Sequence, residues 1–105
     1  MAVVAVTTTT VKPDRYEDFL ADSRKVKATL EKSGGRNVRV LAGLVAGEAT
    51  GTMTVLYEAD DFASFGAVQD KFLADPDGLA LIQSTGASTS PVNGFQFTLW
   101  VDVPL

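Results

Sequence analysis

Apolar and polar positions alternate in some stretches of this chain and recur at helical spacing in others. Ala2 to Val11 is dense in valine and threonine, β-branched residues that suit a pleated strand. Lys12-Pro13 ends it. Pro13 suits the first turn of a helix, and Asp14, Glu17 and Asp18 place negative charge at that helix N-terminus. Tyr16, Phe19, Leu20, Ser23, Val26, Lys27 and Leu30 then fall at helical spacing. Phe19, Val26 and Leu30 are expected to face a sheet, and Arg24, Lys25, Glu31 and Lys32 to face water. Gly34-Gly35 stops the helix.

Arg36 to Gly47 returns to alternation and predicts a second strand, with Gly43 a candidate bulge. Gly47-Glu48-Ala49 turns the chain, and Thr50 to Ala59 predicts the third strand of an antiparallel hairpin. Asp60 or Asp61 caps a second helix whose stripe is Phe62, Phe65, Val68, Phe72 and Leu73. Asp75-Pro76-Asp77-Gly78 breaks it, and Leu79 to Ser84 reads as a short further helical piece. Thr85 to Pro91 is a loop of small residues, the expected mobile segment. Val92 to Val103 is the last strand, with an interruption expected at Asn93-Gly94.

Strand, helix, strand, strand, helix, strand in one domain spanning residues 1–105 predicts a ferredoxin-like α+β fold. Its expected form is a four-stranded antiparallel sheet with helices on one face. The strands are not cleanly two-sided. In the last strand Phe95, Phe97, Leu99 and Val101 oppose Gln96, Thr98 and Trp100; in the third, Met53, Val55 and Tyr57 oppose Thr52, Thr54 and Leu56. A second face that is partly apolar and carries the single tryptophan predicts a partner. The simplest is a second copy, sheet against sheet.

Composition narrows the chemistry. The chain has no cysteine and no histidine. That removes disulfides, thiolate metal sites, a cysteine nucleophile, histidine-ligated haem and a serine–histidine triad. The acidic residues lack calcium-loop spacing, and no glycine-rich phosphate loop joins a strand to a helix. No metal and no cofactor are expected. No apolar run approaches the roughly 20 residues needed to span a bilayer. The apolar start, Met1 to Val6, has no basic residue before it and reads as strand rather than signal peptide. A cytoplasmic location is expected. The net charge is −4, with eight of nine basic residues in 1–39. There they interleave with Asp14, Glu17, Asp18, Asp22 and Glu31, the pattern of helix-surface pairs, so nucleic acid is not an expected partner.

The β-α-β-β-α-β order, the helix start Pro13-Asp14-Arg15-Tyr16-Glu17-Asp18-Phe19 and the hairpin end Val55-Leu56-Tyr57-Glu58-Ala59 resemble the dimeric α/β-barrel superfamily. So does the second helix, from Asp61-Phe62-Ala63-Ser64-Phe65-Gly66 to Phe72-Leu73-Ala74-Asp75-Pro76-Asp77. That helix end is similar to the antibiotic-biosynthesis-monooxygenase-like and NIPSNAP-like branches. The resemblance implies a homodimer whose two sheets build a barrel, often with a pocket between sheet and helices. It also implies a choice of activities. Haem-degrading relatives and cyclases commonly rely on histidine, which this chain lacks. Cofactor-free monooxygenases tend to use asparagine, tryptophan and arginine around an aromatic substrate.

Candidate ligand-binding residues are therefore Arg39, Tyr57, Asn93, Gln96 and Trp100. Trp100 could stack on a flat ring or pack in a dimer interface. Arg39 could hold an anion or pair with Glu58 or Asp102. Tyr57 and Gln96 could orient a polar group, and Asn93-Gly94 is equally a turn. No catalytic residue is identifiable. The expected function is that of a small homodimeric protein that binds a small apolar or aromatic molecule or acts as an accessory protein. The alternative is a cofactor-independent monooxygenase or isomerase on an aromatic or polyketide-like substrate.

Overall fold

The computed structural model describes residues 2–105; Met1, part of the apolar start, lies outside the described residues. Four strands and three α-helices follow one another, with a single 3-10 turn at Gly47–Ala49 between the second and third strands: β1 (Val3–Val11), α1 (Tyr16–Lys32), β2 (Arg36–Ala42), β3 (Met53–Ala59), α2 (Phe62–Ala74), α3 (Pro76–Thr85) and β4 (Val92–Val101). The sheet is antiparallel in the order β2-β3-β1-β4. This is the expected ferredoxin-like arrangement, and the sheet is open at both edges.

All three helices lie on one face. Ala5, Leu30, Val38, Tyr57, Val68 and Phe72 form the core cluster, with Val26, Phe65 and Leu81 packed on it. Burying such side chains contributes roughly 1.5–3 kcal/mol each. Phe19 and Leu30 are buried and Val26 joins the cluster, as the helical spacing predicted.

Several boundaries differ from the sequence expectation. Pro13 does not open α1. The Arg15 amide donates to the Lys12 carbonyl at 3.1 Å and Asp14 takes φ 63°, so Lys12–Arg15 is a turn. Proline fits the second position of such a turn as well as a helix start, and aspartate tolerates positive φ. Helix α1 then ends as expected. Gly34 adopts φ 103°, where residues with a Cβ are strained, and the Gly35 amide reaches back to the Leu30 carbonyl at 2.8 Å.

Strand β2 stops at Ala42, short of Gly47. The Gly43 amide bonds the Thr52 carbonyl and the Gly51 amide bonds the Gly43 carbonyl, closing a loop in which Val45 is 98 % exposed. The irregularity sits not at Gly43 but between Arg36 and Arg39, where Asn37 takes φ 51°.

Asp61, rather than Asp60, caps α2 by accepting from the Ser64 amide at 2.7 Å. The Asp75-Pro76-Asp77-Gly78 quartet breaks α2 and also starts α3. Asp75 ends one helix and accepts from the Asp77 amide at 2.9 Å to cap the next. Helix α3 is therefore longer than the expected Leu79–Ser84 piece. A register shift in β1 against β4 falls between Thr9 and Val11, opposite Asn93-Gly94 as expected.

Candidate functional site

The inner face of the sheet, toward the helices, is set by cross-strand register. Ala5 lies between Tyr57 and Leu99, Thr7 between Val55 and Phe97, and Thr9 between Met53 and Phe95. Along β1 the inward side chains change from Val3 and Ala5 to Thr7 and Thr9. Opposite them α1 presents Phe19, Ser23 and Val26, one helical face. Short side chains at Thr7, Thr9 and Ser23 leave space that leucine or phenylalanine would fill. A cavity of about 410 Å³ results, between sheet and helices. That is within the roughly 300–1,000 Å³ of small-molecule sites.

Its walls are mostly apolar. Phe72 and the helix α3 residues Leu81 and Ile82 line it above, and Val55, Phe95 and Phe97 below. Phe97 continues a ring column: Tyr57 and Phe65 stack at 6.3 Å between centroids, and Phe65 and Phe97 at 6.2 Å. The loop after α3 is tied down beside the mouth. The Lys12 ammonium donates to the Ser88 carbonyl at 2.9 Å, the Lys12 amide donates to the Pro91 carbonyl at 2.8 Å, and Ser90 is buried.

One polar pair faces the apolar walls. The Tyr57 hydroxyl, in a side chain only 5 % exposed, accepts from the Gln69 amide nitrogen at 2.5 Å. Burial pushes the Tyr57 phenol above its usual 10.0, and the Gln69 hydrogen bond offsets part of that shift. At neutral pH the phenol therefore keeps its proton and remains a donor. Among the described residues the lining includes one carboxylate, Asp22, and no lysine or arginine. A shallower polar groove with Arg15, Asp18 and Lys25 adjoins it through Asp22, Ser84, Ser90 and Pro91. There Arg15 is held by Asp18 at 2.6 Å. Among the described residues no group of acidic side chains could hold a metal ion.

The five residues singled out from sequence are not brought together. Only Tyr57 lines the cavity. Gln96 and Trp100 lie on the opposite, open face, in register with Thr8 and Val4. Trp100 is 61 % exposed and its indole donates to Thr98 at 2.9 Å. Arg39 is on the same open face in edge strand β2, in register with Leu56, and meets Glu58 at 3.5 Å, one of its two expected ion-pair partners. Three strand spacings separate β2 from β4, about 14 Å, so Arg39 and Trp100 sit at opposite edges. Asn93 is exposed beside Gly94, whose carbonyl accepts from the Thr9 hydroxyl at 2.5 Å.

Gln69 was not singled out, nor were Thr7, Thr9 and Ser23. Their signal was present: each is a small or polar residue on a face whose neighbours are apolar. Threonine at two successive inward positions of β1 marks the place where the core gives way to a cavity.

The open face is half apolar. Val4, Val6 and Leu56 are wholly or partly covered, while Leu41 and Trp100 are exposed beside them. On the inner face the helices cover β4 only in part, and Phe95 is 60 % exposed.

No protein-family model and no curated protein matches this sequence. Solved structures do match its fold. A NIPSNAP family protein from Agrobacterium tumefaciens is similar with TM-score 0.75 at 9 % identity, over 97 % of this chain and 86 % of that one. An uncharacterised NIPSNAP domain protein from Burkholderia xenovorans gives TM-score 0.74 at 14 % identity, over 96 % and 94 %. An antibiotic-biosynthesis-monooxygenase-like protein from Deinococcus radiodurans gives 0.71 at 12 % identity, over 98 % and 94 %. The resemblance read from sequence is thus matched at the level of fold, in both branches.

Proposed function

We propose that this chain is a homodimeric small-molecule-binding protein, two copies meeting across their open sheet faces and each holding an apolar or aromatic molecule between sheet and helices. The observation that carries the reading is the cavity of about 410 Å³, apolar but for the Tyr57–Gln69 pair, Asp22 and a few hydroxyls. An apolar space of this size that admits a ligand is a costly feature in a small core unless something fills it. Tyr57 is the ligand contact, and Asn93 stands beside the mouth between the lining residues Val92 and Phe95. Arg39, Gln96 and Trp100 belong to the barrel interior, between the two sheets. The half-apolar open face supports the dimer, because an exposed patch with the single tryptophan gains by meeting its own copy.

Native mass spectrometry tests both parts. A species of twice 11.1 kDa is expected, with added mass when a small aromatic compound is supplied. Trp100 emission should shift to shorter wavelength as concentration rises and the dimer forms. A monomer with red, concentration-independent emission would overturn the dimer.

A second reading is a cofactor-independent monooxygenase or isomerase. It is favoured by the fold shared with the Deinococcus radiodurans protein and by a protonated Tyr57 hydroxyl placed to bond a substrate oxygen. Oxygen consumption that depends on an aromatic substrate and falls in Tyr57→Phe would support it.

A further inference from the structure

We propose that the Tyr57–Gln69 pair makes this cavity selective for uncharged ring compounds bearing a hydroxyl, against the same rings without oxygen and against their carboxylates. The inference rests on the cavity being a binding site. The hydrogen bonding of the pair carries it. The Tyr57 oxygen takes the Gln69 amide hydrogen, which leaves the Tyr57 proton and the Gln69 carbonyl oxygen as one donor and one acceptor side by side. Among the described residues neither has another partner, and no buried side-chain oxygen or nitrogen is left without one. The Gln69 carbonyl is therefore accessible. A ligand hydroxyl can satisfy both, accepting from Tyr57 and donating to Gln69.

Charge supplies the other half of the selectivity. Among the described residues no lysine or arginine lines the cavity, and Asp22 is the one carboxylate that does. A ligand carboxylate seated against Tyr57 would lose its hydration with no cation to replace it. The cations of the adjoining groove, Arg15 and Lys25, lie with Asp18 and Asp22, and the Lys12 ammonium beside the mouth is taken by the Ser88 carbonyl. Ring recognition comes from the aromatic walls, Phe19, Phe72, Phe95 and Phe97.

The test titrates the full chain at pH 7 with naphthalene, 2-naphthol and 2-naphthoate, by displacement of Nile red. It is repeated on Tyr57→Phe and Gln69→Leu, with circular dichroism to show both variants folded. The expected order places 2-naphthol about tenfold tighter than naphthalene, the ratio of one well-formed hydrogen-bonded pair, and 2-naphthoate weakest. Each variant should bring 2-naphthol to within about threefold of that same variant's affinity for naphthalene. If 2-naphthoate binds as tightly as 2-naphthol, or the hydroxyl advantage survives both variants, the proposal is overturned. If none of the three binds, the binding reading itself fails, a result distinct from binding without selectivity.

Discussion

Two glycines test the packing of the helical layer with one chemical change of opposite sign. At Gly78 an added Cβ would lie 2.0 Å from the Phe72 carbonyl oxygen and 2.9 Å from its carbon. Contacts under 3.0 Å are not tolerated, so the two backbones must part by about 1 Å. The Phe72 carbonyl belongs to the last turn of α2 and accepts from the Asp75 amide at 3.3 Å. Moving it disturbs the corner between α2 and α3 and shifts Phe72, which is both core and cavity wall. Overpacking costs about 1–3 kcal/mol, and backbone against backbone belongs at the upper end. For a domain of this size about 3 kcal/mol lowers Tm by roughly 12–24 °C. At Gly66, inside α2, an added Cβ meets nothing within 4 Å. There Gly66→Ala should raise stability by about 0.5–1 kcal/mol, through lost backbone freedom in the unfolded chain. Thermal and urea unfolding at matched protein concentration, followed by circular dichroism, reads both. A Gly78→Ala protein as stable as wild type, or a Gly66→Ala protein that loses stability, would refute the steric reasoning.

Three further predictions follow from the same structure. Phe72→Ala should cost about 3–5 kcal/mol in urea unfolding and enlarge the cavity, which tighter uptake of a bulkier dye would reveal. Asp75 is held below its ordinary 3.8 by the Lys32 ammonium and then the Asp77 amide. The unfolded chain thus binds the proton first, so this stabilisation is present at neutral pH and lost as pH falls through 3.8 and below. Lys32 is raised above 10.5 by the same pair, so its contribution is full below that value and is lost as pH rises past it. Asp75→Asn should flatten the acid limb of a stability–pH profile; an unchanged limb would contradict the assignment. Asp61→Ala removes the acceptor for the Ser64 amide, and that amide should then exchange with solvent faster than the α2 interior.

Element type and order were legible because periodicity reports which side of each segment is buried. Phe19, Val26 and Leu30 at helical spacing, and Phe95, Phe97 and Leu99 at strand spacing, needed no tertiary knowledge. Ends were less legible, because they are decided by contacts the pattern does not contain. Leu44 and Val45 read as strand, yet the Gly43 and Gly51 bonds turn the chain away before them. The site was legible only in part. Tyr57 was identified, but pairing it with Arg39, Gln96 and Trp100 required one face, and register puts Tyr57 beside Ala5 and the others on the reverse. One residue of register decides the face of a side chain, and register is set by strands far apart in sequence. Gln69 and Thr7 were missed for a different reason: each is a small or polar residue on an apolar face, and only the fold shows that such positions border a space, because a cavity is defined by what does not fill it.

The central place of β1 has a consequence for how the chain reaches this state. Val3 pairs with Ala59 on one side and with Val101 on the other, so the strand made early is completed by the strand made late. The β2–β3 hairpin and α2 can organise as soon as they are synthesised, at roughly 5–20 residues per second. One edge of β1 must wait for β4. Such long-range closure slows folding relative to a helical bundle of equal length. Until it occurs Phe95 and Phe97 have no place in the sheet, so the lower wall of the cavity is the last part to exist. A ligand of the proposed kind, present at that moment, would act on the last step of folding rather than on any earlier one.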